Sequence, residues 1–93
     1  MKFLVVGLGS MGKRRVRNLK ALGYEEIAGF DLREDRLEEA EQKYGIKKFN
    51  SFDDSIGSFN PRAVIISTSP KFHMDYAMPC EKKGIPCFIE ASV

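Results

Sequence analysis

Residues 3–15 read FLVVGLGSMGKRR, and this stretch decides the fold. Residues 2–6, KFLVV, are a short apolar run rich in β-forming side chains, and Gly7 bounds it. Such a run predicts a buried strand. Residues 11–22 follow with Met11, Arg15, Val16, Leu19 and Leu22 near one helical face, and Gly23 stops the helix. Between strand and helix lies Gly7-x-Gly9-x-x-Gly12. Alone, that spacing is weak. Directly after a strand and opening a helix, it has a mechanism. Gly7 permits the tight turn, Gly9 lets a pyrophosphate approach the backbone, and Gly12 lets helix and strand pack closely. The free amides and dipole of the helix start favour phosphate. Gly7, Leu8, Gly9, Ser10, Met11 and Gly12 are therefore candidate cofactor contacts.

The pattern repeats outward. Residues 25–31, EEIAGFD, predict a second strand, and residues 33–45 a helix with Leu37, Ala40 and Tyr44 at spacings of three to four. A short strand is expected over 46–49, a helical turn capped by Ser51 over 51–57, and a strand from Ala63 to Ser67. A helix over 73–84 contains Pro79, where a kink or early break is expected. Ile85–Glu90 read as a last buried strand. Alternating strands and helices, with strands as unbroken apolar runs, predict an α/β fold: a Rossmann-like, doubly wound parallel sheet of about five strands in order 3-2-1-4-5.

Asp31 ends the second strand, 19 residues after Gly12. A carboxylate there accepts hydrogen bonds from both hydroxyls of an adenosine ribose and repels a 2′-phosphate. The expected cofactor is NAD. Arg33, two residues on, is a candidate partner for the 2′-phosphate of NADP, which leaves that cofactor possible. Another adenosine ligand, such as S-adenosylmethionine, fits the same loop.

The totals limit the alternatives. The chain has 93 residues, one domain at most. A formal net charge of +2 is too small to argue for nucleic acid or a membrane surface as partner. No apolar run is long enough for a membrane span, and no signal peptide is recognisable, so a cytoplasmic setting is expected. Cys80 and Cys87 form no metal-ligand pattern and read as reduced thiols, buried or half-buried. Lys13, Arg14, Arg15 and Arg17 read as a solvated basic helix face, with an anion contact by one of them left open.

The segment AVIISTSPKFHMDYAMPCEKKGIPCFIE, residues 63–90, adds a resemblance. With the glycine loop and Asp31, it resembles the N-terminal domain of the glucose-fructose oxidoreductase and inositol dehydrogenase family. The resemblance rests on the strand-ending turn Ser67, Thr68, Ser69 and Pro70, on His73 opening the next helix, on Lys83-Gly84, and on a final strand ending in Glu90. It implies an oxidoreductase that transfers hydride between NAD and a sugar-like or polyol substrate. It implies that Ser67 to Pro70 pass beside the pyrophosphate and nicotinamide ribose, that His73 faces the cofactor cleft, and that Glu90 sits near the nicotinamide; the other reading of His73 is a helix-start residue hydrogen-bonded to backbone. The family usually continues Glu-Lys-Pro, the Lys assisting proton transfer. Here Ala91 and Ser92 stand in those places. An Ala transfers no proton, which keeps open a non-catalytic nucleotide-binding or regulatory module.

The family has two domains, the second carrying the substrate site. Residues 1–93 are therefore expected to be an incomplete dinucleotide-binding domain, inactive alone, although a stand-alone small protein remains an alternative. The fifth strand would then be an open edge, expected to self-associate.

Overall fold

The computed structural model describes residues 1–90. Its elements are β1 (Phe3–Val6), α1 (Ser10–Ala21), β2 (Ile27–Phe30), α2 (Glu34–Tyr44), β3 (Lys47–Phe49), α3 (Phe52–Gly57), β4 (Ala63–Ile66), a 3-10 turn (Pro70–Phe72), α4 (His73–Lys82) and β5 (Cys87–Ile89). The strands form one five-stranded sheet in order β3-β2-β1-β4-β5, as the sequence predicts. Every pairing is parallel. Val6 lies opposite Phe30 on one side and Ile66 on the other, and Ile66 lies opposite Ile89.

Side chains alternate across a strand, so β1 feeds two cores. Leu4 and Val6 join Ala28, Phe30, Ile56, Phe59, Val64, Ile66, Ala77 and Cys80 beneath α3 and α4. Val5 points the other way, to Leu8, Val16, Leu19, Ile27, Leu37, Ala40 and Ile46 beneath α1 and α2. Both faces of the centre are dry, which is why β1, β2 and β4 read as continuous apolar runs. Full burial of one such aliphatic side chain stabilises by roughly 1.5–3 kcal/mol.

Gly23 closes α1 with φ of 94°. Tyr24 N donates to Leu19 O and Gly23 N to Lys20 O, the double bond of a Schellman cap. Leu22 belongs to that cap rather than to the apolar face and stays exposed, against expectation. Gly84 closes α4 the same way, through Ile85 N to Cys80 O and Gly84 N to Glu81 O. Ser51 caps α3 by accepting from Asp54 N, as expected.

Two expectations need correction. Pro79 does not end α4 early; the helix runs on to Lys82. The carbonyl that Pro79 leaves without a donor belongs to Asp75, which is exposed and open to water. The last strand is shorter than Ile85–Glu90 and is not buried. Phe88 is 59% and Ile89 45% exposed, because β5 is an edge that pairs only with β4. Cys80 is buried and Cys87 half-buried, both free, as predicted. Among the described residues, no helix is long and apolar enough to cross a membrane.

Candidate functional site

All five strands point the same way, so the turns after β1, β2 and β4 meet at one edge of the sheet. They enclose a cleft of about 460 Å³. That is within the range of small-ligand sites. The glycine loop contributes Gly7, Gly9, Ser10 and Met11; the turn after β2 contributes Asp31, Leu32 and Arg33; the turn after β4 contributes Ser67, Thr68, Ser69 and Pro70. Most of the predicted site residues thus converge from three separate stretches.

The three loop glycines do different work. At Gly12 a Cβ would lie 1.7 Å from the Gly7 carbonyl oxygen, so only glycine permits helix and turn to touch. Gly7 has φ of +92°, and a Cβ there would crowd the Ser67 carbonyl at 3.0 Å. Gly9 is neither strained nor crowded. Its φ of −74° and ψ of −161° suit any residue. The nearest atoms a Cβ there would meet belong to the Arg36 guanidinium, at 3.6 Å or more. Gly9 is also the N-cap of α1, with no side-chain cap bond and no acidic residue in the first turn. The helix therefore presents uncapped amides and positive potential to the cleft.

Asp31 is 8% exposed and fixed by two backbone amides. Leu8 N donates to its Oδ2 at 2.7 Å and Arg33 N to its Oδ1 at 2.8 Å. The acid is thereby tied to the glycine loop. A carboxylate has about four lone-pair positions, so capacity for ribose hydroxyls remains.

Arg33 does not reach toward the acid with its side chain. Its Nε and Nη2 donate to Asp35 at 3.1 and 2.7 Å. The hydrogen bonds and charge of each partner hold the Arg33 guanidinium above and the Asp35 carboxyl below their usual ranges. Arg36, not singled out in the sequence, stands nearer: its Nη1 is 3.7 Å from Asp31 Oδ2. The aromatic floor of Phe30, Phe72 and Tyr76 was also missed. Tyr76 packs edge-on against Phe30 and Phe52. Burial, then the Asp75 and Asp31 charges, push its hydroxyl pKa up, so it stays a neutral donor.

His73 does not line the cleft. Its Nε2 lies 2.9 Å from the Thr68 carbonyl oxygen, and the ring braces the turn after β4 from behind. Glu90 lies outside the cleft wall too. It accepts from Ser67 Oγ at 2.7 Å and pairs with Arg15 Nε at 2.8 Å. Leu8 and Gly12 lie behind the loop, in the packed interior. In the basic cluster, Lys13 pairs with Glu39, Arg15 with Glu90, and Arg17 donates to the Tyr44 hydroxyl. Their partners are the protein's own groups. Ala91, at the family's lysine position, lies outside the described residues.

Comparisons with known proteins agree with this geometry. The profile of the oxidoreductase family described as an NAD-binding Rossmann fold matches residues 1–91. Over 92 residues the chain is 32% identical to myo-inositol 2-dehydrogenase of Thermotoga maritima, covering 97% of this chain and 28% of that protein. A solved probable dehydrogenase from Thermotoga maritima superposes with a TM-score of 0.86 at 31% identity, over 96% of this chain and 27% of the other. The scyllo-inositol dehydrogenase of Lactobacillus casei gives a TM-score of 0.83 at 26% identity, over 98% and 28%. The chain thus spans under a third of the length of these relatives.

Proposed function

Because the chain belongs to the oxidoreductase family with the NAD-binding Rossmann fold, we propose that its cleft holds NAD for hydride transfer with a sugar-like or polyol substrate. Gly9 is the observation that carries this reading. Neither its backbone angles nor its nearest neighbours require glycine, and the absence of a side chain leaves the loop backbone there open to a ligand. A pyrophosphate at the uncapped start of α1 makes use of such an opening. The residues present fit the rest of the dinucleotide. Asp31 would accept from the hydroxyls of the adenosine ribose, and Phe30, Phe72 and Tyr76 give the cleft its apolar floor. Ser67 to Pro70 line the cleft and would lie beside the nicotinamide half, as the family resemblance implies.

NAD supplies the carbon that accepts the hydride. This chain binds the nucleotide and orients it; substrate binding would fall to the second domain that the family resemblance implies. The dehydrogenation of inositols named for the relatives supports a polyol or sugar as the substrate class.

Thermal unfolding with and without NAD tests the reading. NAD at 100 times its dissociation constant should add about 2.7 kcal/mol, a shift of several degrees for a domain of this size. Gly9→Ala should unfold at the wild-type temperature without NAD, yet lose the shift. If the wild type shows no shift with NAD the proposal fails; if Gly9→Ala responds as the wild type does, NAD is held but not against the Gly9 backbone.

A further inference from the structure

Cys80 and Cys87 are both free, and both stand outside the lining of the cleft. They lie in one layer of the fold. Cys80 sits in the last turns of α4, fully buried in the core with Val64 and Ile66. Cys87 opens β5, half-buried and packed against that same core. In register it lies opposite Val64, so both side chains point to the face beneath α4.

The path between the two thiols is short and fixed. Ile85 N donates to Cys80 O at 2.9 Å, and Val64 N donates to Pro86 O at 3.0 Å. The chain turns back at Gly84 and delivers Cys87 under the end of α4 that carries Cys80. The thiols also act on each other. Burial first, then the Cys87 charge, push the Cys80 pKa up to about 11, and a like charge acts in this way at close range.

We infer that Cys80 and Cys87 are a redox pair, which closes to a disulfide under oxidation and clamps β5 to α4. The inference does not depend on the nucleotide-binding reading. Closure needs the two Cβ atoms about 3.5–4.5 Å apart. β5 is the element that can adjust to this, being three residues long and paired, among the described residues, on one side only. The oxidant is a small disulfide such as oxidised glutathione. Cys87, the more accessible thiol, loses its proton; its thiolate attacks one glutathione sulfur, and a glutathione thiolate leaves. Cys80 then loses its proton and attacks the Cys87 sulfur, which forms the internal bond and expels the second glutathione thiolate. Two protein thiols are oxidised, and one glutathione disulfide is reduced to two thiols. Glu90 follows β5 and accepts from Ser67 at the rim of the cleft, so closure steadies that rim as well.

Oxidised glutathione added to the reduced chain tests this, with remaining thiols blocked by iodoacetamide and the intact mass measured. The wild type should lose two hydrogens, carry no blocking group and remain a single chain, and dithiothreitol should reverse the change. Its midpoint in urea should rise on oxidation. Cys80→Ala should instead stop at one glutathione, held on Cys87. Cys87→Ala should stay unmodified while folded, because Cys80 is buried. A wild type that stops at the same mixed disulfide would show that the two sulfurs do not meet, and would overturn the inference. A bond between two chains would overturn it too, as would a chain that stays fully reduced.

Discussion

Glu90 at the end of β5 holds Ser67 at the end of β4: the serine hydroxyl donates to the glutamate Oε1 at 2.7 Å. Arg15 on α1 pairs with the same oxygen. Three elements are thus tied at the rim of the cleft, and the Ser67 carbonyl is the group that a side chain at position 7 would strike. The tie fixes the spacing between the glycine loop and the turn after β4.

Cutting it should cost stability in a coupled way. Ser67→Ala and Glu90→Ala should each destabilise by about 1 kcal/mol or more, the ordinary worth of such a hydrogen bond. The double variant should lose less than the sum, with a coupling of about 0.5 kcal/mol or more. Urea denaturation of the four proteins checks it, and strict additivity would show that the tie is inert.

Gly12→Ala should behave unlike Gly9→Ala. The added methyl collides with a backbone carbonyl, which cannot swing aside as a side chain would. Overpacking of this kind costs at least about 1–3 kcal/mol, and the midpoint in urea should fall accordingly. A Gly12→Ala protein as stable as wild type would mean that α1 can slide off β1.

Cys80 links stability to alkaline pH. Burial, with the Cys87 charge adding to it, pushes its thiol pKa up to about 11. The folded chain therefore keeps this proton in a range where the unfolded chain, at about 8.5, has released it. The contribution is fully present below about pH 8.5 and is lost as the pH rises toward 11. Denaturant midpoints should fall across that window, and less steeply in Cys80→Ala after allowing for its cavity. Parallel pH profiles for the two proteins would refute the assignment.

The β5 edge should self-associate. Phe88 and Ile89 stand exposed on a strand whose outer hydrogen-bonding side is unpaired among the described residues. Sedimentation should give a mass that rises with concentration, and Phe88→Lys should return it to the monomer value. A wild-type mass independent of concentration would sink this.

Strand order, helix placement and the convergence of loop and acid were readable because each depends on local chemistry. Glycine at 7, 9 and 12, an acid at the end of β2, and apolar runs for buried strands are all marks within a few residues. Arg36 was not readable in that way. Its place near Gly9 comes from the path of α2, and counting along the chain from Asp31 reaches Arg33 first. Arg33 is turned aside by Asp35, a neighbour whose effect depends on the extended backbone at the N-cap. His73 had two readings, a cleft residue or a helix-start residue bonded to backbone, and the structure shows the second, with the ring at the Thr68 carbonyl. The edge position of β5 was legible from the strand order, but its residues read as buried because apolar composition looks the same in a central strand and in an edge.

The parallel sheet also divides labour between its two ends. The turns that close α1, α2 and α4 lie at the end away from the cleft, and at Gly23, Gly45 and Gly84 an added Cβ would meet nothing within 4 Å. These corners are attachment points. The glycines themselves hold positive φ and are best left in place, but a dye or tether on an exposed neighbour such as Leu22 leaves the nucleotide end untouched, so the cleft can be watched by a reporter that never enters it.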